Sequence, residues 1–146
     1  MNSTQNKLLE IKGIGITIVV GFIAEVGDIT RFDSTKELQK LAGLELVADS
    51  SGKHNGKIKI SKRGCKRLRY LLFEVAISVV GKNEEFKGFH RYYMTSEKNP
   101  LKKMQSLIVV CKLIRVFHVI FTKGIGYDTS KMSKDIRHLG EQLKAA

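Results

Sequence analysis

Glycines cut this chain into helix-length pieces, and their spacing restricts the fold more than any other feature. Gly13 and Gly15 belong to the stretch KGIG (Lys12-Gly13-Ile14-Gly15), directly ahead of the apolar run ITIVVGFIAEV, which stops at Gly27. Further breaks fall at Gly43, Gly64, Gly124 and Gly126, and the one proline, Pro100, follows Asn99 where a helix can begin. Between the breaks, apolar residues recur at helical intervals.

The pattern predicts helices over about 4–11, 16–26, 34–43, 65–80, 84–94 and 101–121, the third opened by the S-x-x-E capping box Ser34–Glu37. A polar tail helix is expected over 130–143. Helical periodicity disappears between Glu45 and Gly64, where Lys57-Ile58-Lys59-Ile60 alternates like a brief strand or hairpin arm. The expected fold is mainly α: a helix-hairpin-helix at about residues 4–27, then a basic loop and a small helical bundle, with one domain over 1–128 and the tail at 129–146.

Charge narrows the partners. The 146 residues carry 26 Lys and Arg against 14 Asp and Glu, a formal charge of +12, and the pI is about 9.8. Such an excess calls for a polyanion. Nucleic acid is favoured over membrane, because no run reaches the about 18 apolar residues of a spanning helix. Even SLIVVCKLIRVFHVIF is interrupted by Lys112 and Arg115. The opening MNSTQNKLLE lacks the basic-then-apolar order of a signal peptide. Cys65 and Cys111 lie far apart with no C-x-x-C, which reads as reduced thiols in a cytoplasmic protein. His54, His90, His118 and His138 have no metal-ligand spacing.

KGIG occurs twice, with opposite expectations. The first copy opens a helix, where unpaired amides and the positive helix end face outward. Glycine lets the backbone approach an anion closely, so Gly13, Ile14 and Gly15 are candidate contacts to DNA phosphates; the plain alternative is a tight interhelix turn. The second copy, Lys123-Gly124-Ile125-Gly126, comes after a helix and reads as its stop signal.

A second stretch carries the charge. Between Asp49 and Glu74 there is no acid, yet there are eight cations: Lys53, Lys57, Lys59, Lys62, Arg63, Lys66, Arg67 and Arg69. Such a run suits phosphate oxygens. At its front, Ser50-Ser51-Gly52 sets two hydroxyls beside a glycine, a candidate nucleophile toward a phosphodiester or an ordinary solvated turn. The aromatics Tyr70, Phe86, Phe89, Tyr92 and Tyr93 sit at helical spacings and are expected in the core.

Taken in order, I-x-G-I-G (11–15), A-E-V-G-D-I-T-R-F (24–32), A-G-L (42–44), S-S-G (50–52) and I-S-K-R-G-x-x-x-L-R (60–69) resemble one family. It is the C-terminal domain of the transposases of insertion sequences 110, 116 and 902, RNA-guided recombinases, and the likeness covers about Leu8 to Tyr127. The resemblance implies a serine nucleophile that joins to DNA, here Ser50 or Ser51, with Ser51 preferred beside Gly52. It implies phosphate contacts from Lys62, Arg63 and Arg69. It also implies a separate acidic nuclease-like domain holding magnesium, a guide RNA and a tetramer. This chain departs from the family in lacking prolines around G-I-G and after A-G-L. Its acids are scattered, so no cofactor is expected in the chain itself, and magnesium only with the acidic domain. The start at Met1, shortly before the hairpin, suggests a truncated or split transposase that does not cleave strands alone. The alternative is a non-catalytic DNA- or RNA-binding module, a remnant or regulator.

Overall fold

The computed structural model describes residues 3–48, 58–95, 105–128 and 130–131. In chain order these form α1 (Ser3–Leu9), α2 (Ile16–Val26), a 3-10 turn (Ile29–Arg31), α3 (Thr35–Leu41), β1 (Leu46–Ala48), β2 (Ile58–Ile60), α4 (Lys66–Lys82), α5 (Glu84–Thr95) and α6 (Gln105–Lys123). The fold is mainly helical, as the periodicity requires. The tail helix expected over 130–143 lies almost wholly outside the described residues.

The late apolar stretch becomes α6, around which the other helices pack. Leu107, Val110, Leu113, Ile114, Phe117 and Ile120 recur every three or four residues and are all buried. This helix meets α1, α3, α4, α5 and the 3-10 turn. Phe22 of α2 lies edge-on to Phe117, with ring centroids 4.8 Å apart, and parallel to Phe121 at 6.0 Å. Burying one such side chain contributes roughly 1.5–3 kcal/mol. In α4 the buried residues are Leu68, Leu72, Val75, Ala76 and Val79. At about 100° per residue, Lys66, Tyr70, Glu74 and Ile77 fall on the opposite, exposed face.

Helix ends are set by local chemistry. Gly27 closes α2 at φ 71°, its N–H donating to the Ile23 carbonyl. Asp28 then caps the 3-10 turn, accepting from the Thr30 amide (3.0 Å) and hydroxyl (2.6 Å). These bonds favour its ionised form and hold its pKa below the ordinary carboxylate value. The predicted capping box is replaced by a different bond: Ser34 makes no side-chain cap bond, and Glu37 accepts from the amide of Asp33, one residue ahead of the cap, at 3.0 Å. Asn83 is 4% exposed and alone separates α4 from α5. Its N–H closes α4 on Val79 O, and its Oδ1 accepts from the amides of Glu85 and Phe86 at the start of α5. After α6, Gly124 takes φ 64° and donates to Ile120 O at 3.0 Å. The second KGIG is therefore a helix stop.

The strand expectation is met at 58–60, and a partner appears that periodicity does not show. β1 and β2 are antiparallel in the register Leu46↔Ile60, Val47↔Lys59 and Ala48↔Ile58. Leu46, Val47 and Lys59 are exposed. A lone two-stranded ribbon is marginal in water, and this one is tied down at its base by the Ser61 N–H to Glu45 O (2.8 Å) and the Lys62 N–H to Gly43 O (3.0 Å).

Candidate nucleic-acid interface

In the first KGIG turn, glycine is demanded by the protein's own packing. Gly13 takes φ 100°, and a Cβ there would stand 2.8 Å from Val79 Cα. Its carbonyl accepts from the Ser78 hydroxyl at 2.9 Å, which ties the turn to α4. Ile14 is 5% exposed, and its N–H donates to Ile11 O. Of the three candidate phosphate contacts here, only Gly15 is open. It is the N-cap of α2 at φ −95°, without a side-chain cap bond, and nothing lies within 4 Å of a Cβ built on it. Lys12 beside the turn is also exposed.

The motifs A-G-L and I-S-K-R-G, distant in sequence, form one clamp. Gly43 has φ 70°, and a Cβ on it would meet Arg69 Nη1 at 2.7 Å and the Lys62 carbonyl carbon at 3.0 Å. A Cβ on Gly64 would run into Leu41 O and would meet Gly43 N at 2.6 Å. The Cys65 N–H donates to Leu41 O at 2.6 Å, and Arg69 Nη1 donates to Ala42 O at 3.2 Å. Between them Lys62 holds φ 55°, rare for a residue with a side chain. Backbone against backbone explains both glycines. It also gives Arg69, a candidate phosphate contact, a partner at the C-terminal end of α3.

The cations divide by position. Lys62, Arg63, Lys66 and Arg67 are exposed where the clamp leads into α4, with Lys59 exposed on β2. Arg67 also pairs with Glu25, Nε to Oε1 at 3.4 Å, and the Cys65 thiol lies 3.2 Å from the other oxygen of that carboxylate. Glu25 belongs to the A-E-V-G-D motif, so this motif too is accounted for by contacts to α4. Ser50, Ser51, Gly52, Lys53 and Lys57 lie outside the described residues. Their flanks are nevertheless fixed, because Ala48 and Ile58 are paired across the ribbon.

Sequence reasoning placed Tyr70 in the core with the other aromatics. Phe86 and Phe89 are buried as expected, whereas Tyr70 is 67% exposed. The available signal is its phase: relative to Leu68 and Leu72 it falls on the far side of α4. Sequence reasoning also missed Ser78, the anchor of the Gly13 turn. Among the described residues, no three His, Cys, Asp or Glu side chains are grouped to hold a metal ion. These residues do not fit the magnesium site that the family implies, and no step is assigned to a metal held by them.

The fold and this surface define a mainly helical domain with a cationic edge beside an exposed hairpin. Comparison with known proteins is more specific. The profile described as "Transposase IS116/IS110/IS902 family" matches residues 5–91, more than half of the chain, and the chain belongs to that family. It is 31% identical over 128 residues to the transposase for insertion sequence element IS1328 of Yersinia enterocolitica, covering 84% of this chain and 37% of that protein. It is 38% identical over 69 residues to y4qE, named as a transposase in Sinorhizobium fredii (strain NBRC 101917 / NGR234), covering 47% of this chain and 18% of that protein. The chain thus spans well under half the length of either relative. No helix among the described residues is long and apolar enough to cross a membrane, and Cys65 and Cys111 are free thiols.

Proposed function

We propose that this chain is the DNA-binding C-terminal part of an insertion-sequence transposase, working in the cytoplasm as part of an oligomer, a tetramer as the family resemblance implies. Family membership over residues 5–91 is the observation that carries the reading. The exposed cations Lys59, Lys62, Arg63, Lys66 and Arg67 beside the ribbon support it, since they offer phosphate oxygens a surface at the base of the segment that bears the serines. Gly15, at the uncapped start of α2, is the best-placed backbone contact of the first turn.

In the proposed reaction the hydroxyl of Ser51, or of Ser50, attacks a DNA phosphodiester. A bond forms from Oγ to phosphorus, one bridging P–O bond breaks, and the departing oxygen gains a proton as Oγ loses one. Serine is unreactive at its ordinary pKa and needs a base or metal. The acidic nuclease-like domain supplies that activation, and a guide RNA selects the DNA. The second reading is a DNA- or RNA-binding module without chemistry.

The test is denaturing electrophoresis of labelled DNA with the chain supplied with the acidic domain, magnesium and a matching guide. The isolated chain should form no adduct, the complemented one should, and Ser51→Ala should abolish it while DNA binding survives. Loss with Ser50→Ala alone would move the nucleophile by one residue. An adduct that persists in the double variant would remove this loop from the chemistry.

A further inference from the structure

Most apolar surface of α4 faces inward, so the composition of its outer face needs a reason. Tyr70 is 67% exposed and Ile77 is 70% exposed, seven residues apart on one side of the helix. One turn before Tyr70, about 6 Å along the axis, stands Lys66, and the clamp just ahead presents Lys62 and Arg63 to solvent. Tyr70 and Lys66 border an open groove of about 540 Å³ between α2 and α4. Its floor reaches Leu71 because α2 has no side chain at Gly21, where a Cβ would come within 3.1 Å of Leu71 Cδ1.

We infer that the outer face of α4 holds an unpaired DNA strand, with a base stacked on Tyr70 and the adjoining phosphates on Lys62, Arg63 and Lys66. An exposed aromatic at the end of a cationic track is the combination that grips single strands, because every base has a π-face and every nucleotide a phosphate. The groove also contains two carboxylates. Glu25 is offset by Arg67 at 3.4 Å. Glu74, one turn beyond Tyr70, accepts from the Tyr70 hydroxyl and holds the phenol's pKa above its ordinary value. The cations stand on the opposite, N-terminal side of the ring, so the phosphates run toward the ribbon. A duplex cannot use this arrangement, since its bases are already stacked on each other. The inference rests on the nucleic-acid reading above and adds the class of strand and the residue that recognises it.

The experiment is fluorescence anisotropy of the full chain with labelled dT20, the same length of duplex DNA, and rU20, at two salt concentrations. Tyr70→Ala should weaken dT20 binding about tenfold, the value of one stacked base, and leave duplex binding within about twofold. Tyr70→Phe should retain wild-type affinity, because stacking needs the ring and not the hydroxyl. Thermal melting of both variants should match wild type, as the side chain is outside the core. An equal loss on single strand and duplex, or no loss on either, overturns the stacking role. A Tyr70 effect confined to rU20 overturns the assignment to DNA. A change of oligomeric state in Tyr70→Ala by sedimentation, with dT20 affinity intact, assigns the face to a second copy instead. Failure of the wild-type chain to bind any of the three probes removes the nucleic-acid reading itself.

Discussion

A Cβ at Gly13 would stand 2.8 Å from Val79 Cα, on a backbone at φ 100°, whereas nothing lies within 4 Å of a Cβ at Gly15. The two glycines of one turn therefore answer different questions. Gly13→Ala should destabilise the protein by at least the about 1–3 kcal/mol of a strained backbone, and any loss of DNA binding would come from loss of fold. Gly15→Ala should leave thermal stability nearly unchanged, because φ −95° suits any residue. If the amides at the start of α2 hold a phosphate, Gly15→Ala is the variant that weakens binding in an intact fold. Calorimetry and anisotropy on the two single variants separate these effects. Equal stability of both variants would show that the turn does not press on α4 as described.

At the scale of elements, the C-terminal end of α6 is fastened on two sides. Lys7 of α1 donates to the Gly124 carbonyl, and Tyr127 stacks on Phe86 of α5 with ring centroids 6.1 Å apart. The Tyr127 hydroxyl is buried with no hydrogen-bond partner among the described residues. Burial, then the nearby Glu85 and Asp128, push its pKa up to about 12. A raised phenol pKa leaves stability intact below the ordinary tyrosine value of about 10. Above it the unfolded chain ionises first, and stability is lost progressively until the folded phenol titrates near 12. Tyr127→Phe should therefore move alkaline unfolding to higher pH, with melting at neutral pH unchanged or slightly raised, since an unpartnered hydroxyl is removed. Circular dichroism monitored from about pH 8 to about pH 12 checks this, and an unchanged alkaline midpoint would count against it.

For the whole molecule, the dominant property is the formal charge of +12. Nucleic-acid binding driven by that charge releases counterions, so affinity should fall steeply and linearly on a log–log plot against salt, with little sequence preference. Anisotropy on unrelated duplexes across several salt concentrations tests this; a flat salt dependence would defeat the electrostatic reading.

Much of this protein was legible in its amino-acid sequence. Apolar spacing alone located α2, α4, α5 and most of α6, because a helix that buries one stripe must repeat it every three to four residues, and glycines marked where those helices stop. The ordered motifs identified the family. What periodicity could not reach were contacts between distant segments. β1 was missed because Leu46 and Val47 lie on an exposed ribbon with no buried face to impose alternation. In the sequence Gly13 reads as a phosphate contact or a tight turn, and Gly43 and Gly64 only as breaks between elements. Tertiary structure decided that they are places where backbone meets backbone: Val79 at Gly13, Lys62 at Gly43, Leu41 at Gly64. Tyr70 was drawn into the core by its spacing, and only the direction of the buried face of α4 put it in solvent. Local sequence determines which residues share a helix face. Which of those faces is covered depends on the neighbours that the rest of the chain brings to it.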